Sequence, residues 1–311
     1  MITGDISLGS KRINLSEKKN FKDQNRFKKI FKKTGIKIIY EATQKENSLT
    51  LAEKAGKKIL KKINEKIESL IFVSQSHVST IPSSSNLLHE RLKLEKNCFL
   101  MDVVQGCSGF PYALITASNL INSGSVKNSL IICSETYRKY ISKKDITCGT
   151  VFSDGASAIF FNKRNLPRTL STFYHSDGSG AKNLCLTEEK GKNKKLYMHG
   201  SNVFTFTNQN IPLAVNKLLQ KSQLKIDDVG FFIFHQASSI VLNTLREKLK
   251  IPENKFYNRI RDVGNTVSST IPIALIDSNK RNILPIKKPI MIIGFGVGYS
   301  VCGGVFIFDK K

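Results

Sequence analysis

An α/β fold with a layered sheet is predicted by three features of the sequence. Apolar runs of strand length recur along the chain, bounded by turn-forming residues. Patterns of helical period alternate with them. The chain, at 311 residues, is long enough for one large domain or two medium ones with a sizeable buried core.

The strand-like runs are residues 70–73, 98–104, 129–133, 156–161, 170–174, 230–234, 289–295 and 301–308. Several are apolar at consecutive positions, as strands buried on both faces are. Helical patterns cover 48–63, 109–122, 203–219, 238–249 and 268–277. In the first, Leu51, Ala52, Ala55, Ile59, Leu60 and Ile63 share a face, and Thr50 and Glu53 stand at capping-box spacing. The second is apolar on most sides, which predicts a central helix. A boundary is expected near 162–168, dividing the chain into halves 1–165 and 166–311 with similar strand–helix series. The polar stretch 188–195 reads as a surface loop.

Composition excludes several classes. No apolar run is long enough to cross a membrane, and the first 16 residues lack the apolar core of a secretory signal, so a cytoplasmic location is expected. Six cysteines, at 98, 107, 133, 148, 185 and 302, form no CxxC pair or Cys/His cluster, which argues against a metal site and against a disulfide framework. No cofactor is called for. The formal net charge is +25. Lysine pairs are spread along the whole chain and are not interleaved with aromatic residues, so a general surface property is favoured over a nucleic-acid footprint. A nucleic-acid-binding protein is the alternative of a different class.

Three segments carry chemistry. In Asp102-Val-Val-Gln-Gly-Cys107-Ser-Gly109, glycines permit a tight strand-to-helix turn, and Pro111 is tolerated in a helix's first turn. Cys107 is then expected at a helix N-terminus, whose positive end lowers a thiol from about 8.5 to roughly 3.5–7.5. Taken alone, the segment leaves an activated nucleophile and a buried inert thiol equally open. His235 ends the apolar run of Gly230-Phe-Phe-Ile-Phe, at the strand end where α/β proteins place their sites; a satisfied core histidine is the other reading. Asn265, in Gly264-Asn-Thr-Val-Ser-Ser-Thr, offers an amide donor at a helix start, or is simply a turn and cap. His77, His89, His175 and His199 lack comparable contexts.

In that order, and with Gly294-Phe-Gly-Val-Gly298, these motifs resemble the β-ketoacyl-[acyl-carrier-protein] synthase III family of the thiolase superfamily. The similarity runs from about Lys33 to Phe308. It implies a thiolase-like fold, two pseudo-equivalent βαβαβ halves in a five-layer α-β-α-β-α arrangement, and a homodimer formed through the N-terminal halves. It implies that Cys107 attacks an acyl thioester and becomes acylated. Malonyl-acyl carrier protein then loses carbon dioxide while His235 and Asn265 stabilise the enolate, which condenses with the acyl group. The backbone N–H groups of Cys107 and Val297 would form the oxyanion hole, and Gly296 and Gly298 would let the chain approach closely.

The resemblance also places substrate-binding residues. Lys29 and Lys33 stand where the family often has an aromatic residue and an arginine that grip coenzyme A. Ser238 replaces the asparagine of His-Gln-Ala-Asn, and Ile81 lies near the pocket and the dimer interface. The arginine that usually precedes the Phe-Gly-Asp-Gly turn is missing from Ile146-Thr-Cys-Gly-Thr-Val-Phe152-Ser-Asp154-Gly155, and another is absent at Ile240, so acyl-CoA and acyl-acyl carrier protein both stay open as primers. Residues 1–16 match the family's first strand poorly. Ser74-Gln-Ser76 and the Phe-Gly-Val-Gly ending look most like a branch tied to surface-polysaccharide or specialised acyl pathways. The basic chain suits an acidic carrier protein, with Lys29, Lys32, Lys33 and residues 246–250 as its docking face. Within the superfamily the alternatives are non-decarboxylative acyl transfer and thioester hydrolysis.

Overall fold

The structure, a computed structural model, describes residues 2–18, 23–188, 194–296 and 298–309. In chain order it runs β1 (Thr3–Leu8), β2 (Lys11–Asn14), α1 (Gln24–Thr34), β3 (Ile38–Glu41), α2 (Ser48–Leu60), β4 (Ser69–Val73), α3 (Ser84–Leu92), β5 (Phe99–Val103), α4 (Gly109–Asn122), β6 (Asn128–Glu135), α5 (Ile146–Gly149) and β7 (Gly155–Asn162). It continues through β8 (Arg168–Ser176), β9 (Leu184–Thr187), β10 (Lys195–Met198), α6 (Gly200–Ser222), β11 (Phe231–Phe234), α7 (Ser239–Lys248), α8 (Thr270–Lys280), β12 (Pro289–Gly296) and β13 (Ser300–Ile307).

Two mixed sheets hold these elements, and the second repeats the first. The first has the order β1-β7-β6-β4-β5: β4 is parallel to β5 and β6, and β7 is antiparallel to β6 and β1. The second has the order β11-β12-β13-β8, with β11 parallel to β12 and β13 antiparallel to its two neighbours. Its fifth position shrinks to one parallel bridge between Phe232 and Phe256.

Helices α4 and α8 lie between the sheets. α4 touches β4 and β6 on one side and β12 and β13 on the other; α8 touches β1 and β7, and β11. α2 and α3 cover the outer face of the first sheet, and α6 that of the second with α7 packed on it, giving α-β-α-β-α. The sequence dictates these positions. Phe110, Ala113, Leu114, Ile115, Ala117 and Ile121 spread around α4, and all are buried. α2 instead buries one face, through Leu51, Ala52, Ala55 and Ile59, and ends on lysines.

Some local expectations are corrected. Asn47, not Thr50, caps α2; its side chain accepts from the Thr50 N–H at 3.0 Å, and the Thr50 hydroxyl accepts from the Asn47 N–H at 2.8 Å. Glu53 lies a turn further on and pairs with Lys57. The poor match of the first 16 residues hides a real strand: β1 pairs with β7 along its whole length. Its buried positions are Gly4 and Ser7, so no apolar run marks it. A side chain at Gly4 would meet Ile276 of α8, with a Cβ only 2.5 Å from its Cγ1. The flanks of the expected 188–195 loop pair as the hairpin β9–β10, while 189–193 lie outside the described residues.

The reciprocal cap gives a stability test. Asn47→Ala should cost about 1 kcal/mol, read as a lower urea midpoint at unchanged slope. Glu53→Ala removes only surface ion pairs and should cost less than half of that.

Candidate active site

Cys107 sits in the turn between β5 and α4. The turn is closed by the Gly109 N–H donating to the Gly106 carbonyl at 2.8 Å, and Ser108 is the residue before the helix. Strand β12 runs against this turn. A Cβ on Gly294 would stand 2.7 Å from the Cys107 carbonyl oxygen, and one on Gly296 would stand 2.8 Å from its Cβ and 3.2 Å from its Sγ. Only glycine permits that approach.

The thiol is 5% exposed. Burial first, and then the nearby Glu135 carboxylate, push it well above the ordinary thiol range. The expected lowering by the helix N-terminus is therefore reversed in the resting protein. A helix end favours thiolate only weakly against full desolvation.

His235 follows β11, and its N–H extends the parallel ladder to the Ile293 carbonyl at 2.9 Å. The ring is buried edge-on to Phe295. Its Nδ1 lies 2.7 Å from Thr270 Oγ1, at the start of α8. Burial lowers its pKa to about 3, so the imidazole is neutral.

Asn265 is anchored from the other half of the chain. Its N–H donates to the Val151 carbonyl at 3.0 Å, and its carbonyl accepts from the Ser153 N–H at 2.9 Å. Its side-chain oxygen accepts from the Val267 N–H at 2.9 Å. The amide nitrogen donates to the Ala237 carbonyl at 3.4 Å and lies 3.5 Å from His235 Nε2.

One cavity of about 490 Å³ reaches Cys107, His235 and Asn265, with Phe295 and Gly296 beside them. Lys33, Ser201 and Ile240 are also in its lining. Of the expected substrate-binding residues, Lys33, Ser238 and Gly296 line it. Lys29 lies a turn earlier on α1 and is exposed, outside the lining. Ile81 is 91% exposed and also outside it. Gly298 falls beyond the lining too, at φ 127°, where side chains are rarely accommodated. Val297 lies outside the described residues. A larger groove of about 830 Å³, lined by Lys11, Glu41 and Arg138 among others, holds no cysteine or histidine. Among the described residues no group of His, Cys, Asp or Glu is arranged to hold a metal ion.

Thr270 and Glu135 escaped the sequence reading. Glu135 is fully buried, raised by burial to about 7, and accepts from the N–H groups of Gln75 and Ser76 at 3.0 Å each. The acid at the end of the apolar run Ser129-Leu-Ile-Ile-Cys-Ser134 was the available signal.

The family model of 3-oxoacyl-[acyl-carrier-protein] synthase III matches residues 101–178, and the model of its C-terminal region matches 219–307. Beta-ketoacyl-[acyl-carrier-protein] synthase III of Clostridium novyi (strain NT) is 32% identical over 285 residues, covering 87% of each chain. The chain belongs to the 3-oxoacyl-[acyl-carrier-protein] synthase III family. A crystal structure of 3-oxoacyl-(acyl-carrier protein) synthase from Burkholderia xenovorans LB400 superposes with a TM-score of 0.91 at 26% identity, covering 99% of this chain and 93% of that one. Another, of a 3-oxoacyl-(acyl-carrier-protein) synthase III, gives 0.88 at 30% identity over 98% of both chains. The fold is the thiolase-like fold of these synthases. In this synthase III chain, Ile240 lines the cavity and Ile146 begins α5, so neither position offers a guanidinium.

The depressed His235 pKa gives a pH prediction. The unfolded ring binds a proton below about 6.5, and the folded one only near 3. The contribution of this site to stability is therefore full above the unfolded pKa and lost as pH falls toward 3. His235→Leu should flatten that part of the stability–pH curve measured by urea unfolding.

Proposed function

We propose that this condensing acyltransferase of synthase III type works through Cys107, His235 and Asn265, and that it performs a decarboxylating Claisen condensation. The observation that carries the assignment is the convergence of these three side chains, from three separate elements, on one cavity. In the first step Cys107 Sγ bonds to the acyl carbon of a thioester, the carbon–sulfur bond to the donor breaks, and the thiol proton leaves with the donor's sulfur. The N-terminus of α4 favours the thiolate as it forms. In the second step malonyl-acyl carrier protein loses carbon dioxide. His235 Nε2 and Asn265 Nδ2 both face the thioester oxygen and donate to the enolate, and the contact of His235 Nδ1 with Thr270 Oγ1 at 2.7 Å holds the ring in orientation. The enolate carbon attacks the acyl group, and Cys107 leaves as thiolate. The Cys107 N–H serves in the oxyanion hole.

Half 1–165 brings the nucleophile, and half 166–311 brings His235 and Asn265. An acidic carrier protein suits the basic face made by Lys29, Lys32 and Lys33 on α1 and the Arg246 end of α7; the two helices touch, and Lys33 lines the cavity. Acyl-CoA and acyl-acyl carrier protein are both candidate primers, in fatty-acid synthesis or a specialised acyl pathway. All six cysteines are free, which fits a reducing cytoplasm. No helix among the described residues is long and apolar enough to cross a membrane.

A homodimer through β5 is supported by its edge position in the first sheet and by exposed apolar side chains there, Phe99 at 43% and Val104 at 59%. Sedimentation should show a dimer that Phe99→Lys weakens; a monomeric wild type refutes this arrangement.

The chemistry is tested by mass spectrometry and carbon dioxide release. A thioester primer should leave an acyl adduct on Cys107 that Cys107→Ala lacks. His235→Ala and Asn265→Ala should still acylate, yet release carbon dioxide from malonyl-acyl carrier protein at least ~100-fold more slowly. Wild-type condensation by these variants would refute their roles, and acyl transfer without carbon dioxide release would favour the non-decarboxylative alternative.

A further inference from the structure

The segment 149–154, between α5 and β7, borders two cavities. Val151 and Phe152 line the one that reaches Cys107, and Gly149 and Asp154 line the groove of about 830 Å³. Asn265 is mounted on this segment. Phe152 and Asn265 form a parallel bridge, made by the Val151 carbonyl and the Ser153 N–H, which both bond the Asn265 backbone. Backbone groups of an extended chain alternate in direction, so the Phe152 carbonyl points away from Asn265. Phe152 is 2% exposed, and a carbonyl buried there without a donor would be costly.

Arg138 supplies the donor. It stands in the short turn Tyr137–Tyr140 after β6, and its side chain is only 7% exposed. Nη1 donates to the Phe152 carbonyl at 3.0 Å and to the Gly149 carbonyl at 3.2 Å. Nε donates to the Glu41 carboxylate, at the end of β3, at 2.9 Å. The Arg138 backbone N–H donates to Asp154 Oδ1 at 3.0 Å. One residue thus grips the segment at 149, 152 and 154, from the side opposite Asn265. A planar guanidinium fixes the direction of each bond, which a lysine ammonium does not.

We propose that Arg138 is a positioning residue for the condensation step, setting the place of the Asn265 amide through the 149–154 segment. The inference rests on the enolate-stabilising role given to Asn265 above. Cys107 hangs on the turn into α4 and His235 on the end of β11, elements that Arg138 does not grip, so acylation is spared. Displacing an oriented donor by about 1 Å is enough to cost up to ~100-fold in rate.

The test separates the two half-reactions in the full-length protein. Arg138→Met keeps the length of the side chain and removes its donors. It should acylate Cys107 within about threefold of wild type by intact mass, yet release carbon dioxide from malonyl-acyl carrier protein ~10-fold or more slowly. Arg138→Lys should recover part of that loss and shows the same split if the methionine variant does not fold. In an Asn265→Ala background, Arg138→Met should cost no more than about twofold further, because its effect passes through the missing amide. Carbon dioxide release at the wild-type rate in the folded variants overturns the proposal, as does an equal loss in both half-reactions or a full additional loss in the double variant. Wild-type carbon dioxide release by Asn265→Ala alone would instead bring down the role of Asn265 itself.

Discussion

The site depends on how closely β12 approaches the turn that carries Cys107. Gly294 and Gly296 press their backbone on the Cys107 turn at distances no side chain would allow. That contact is the seam between the two sheets, and it is made by the strand whose neighbour β11 leads into His235. Placing β12 therefore places Cys107, the His235 imidazole and the segment around Gly296 together. The flanking helix α4 makes the approach rigid, since it is packed on both sheets at once.

Burial gives the site its electrostatic character. The chain carries a formal charge of +25, yet the resting cavity holds a neutral imidazole and a thiol pushed upward. Desolvation dominates each shift. Such a site does little to stabilise a charged ground state. The lysines of α1 stay on the outside, with Lys33 at the cavity among them.

The central strands and helices were legible because burial on both faces leaves uninterrupted apolar runs, as in β4, β6 and α4. β1 was not, because its buried positions are Gly4 and Ser7. α1 was not singled out either: it buries only Phe27 and Thr34 beneath a cationic surface. Among site residues, Cys107, His235 and Asn265 stood out through their motifs, and the structure brings them together. Thr270, Glu135 and Arg138 did not, since their importance lies in what they face across the fold. The direction of the Cys107 shift was misjudged for the same reason: a local turn argument sees the helix end but not the depth of burial.

The repeated sheet order has a further meaning. By topology α4 and α8 are counterparts, and so are the segments leading into them: one presents Cys107, the other Asn265. The strand ends of β4 and β11 correspond as well, so that His235 stands where the first half has Ser74. Two copies of one scaffold have thus become unlike. At matching places one half carries Cys107 and the other carries His235 and Asn265, so a reaction joining two carbon fragments belongs to a fold that is itself two joined fragments.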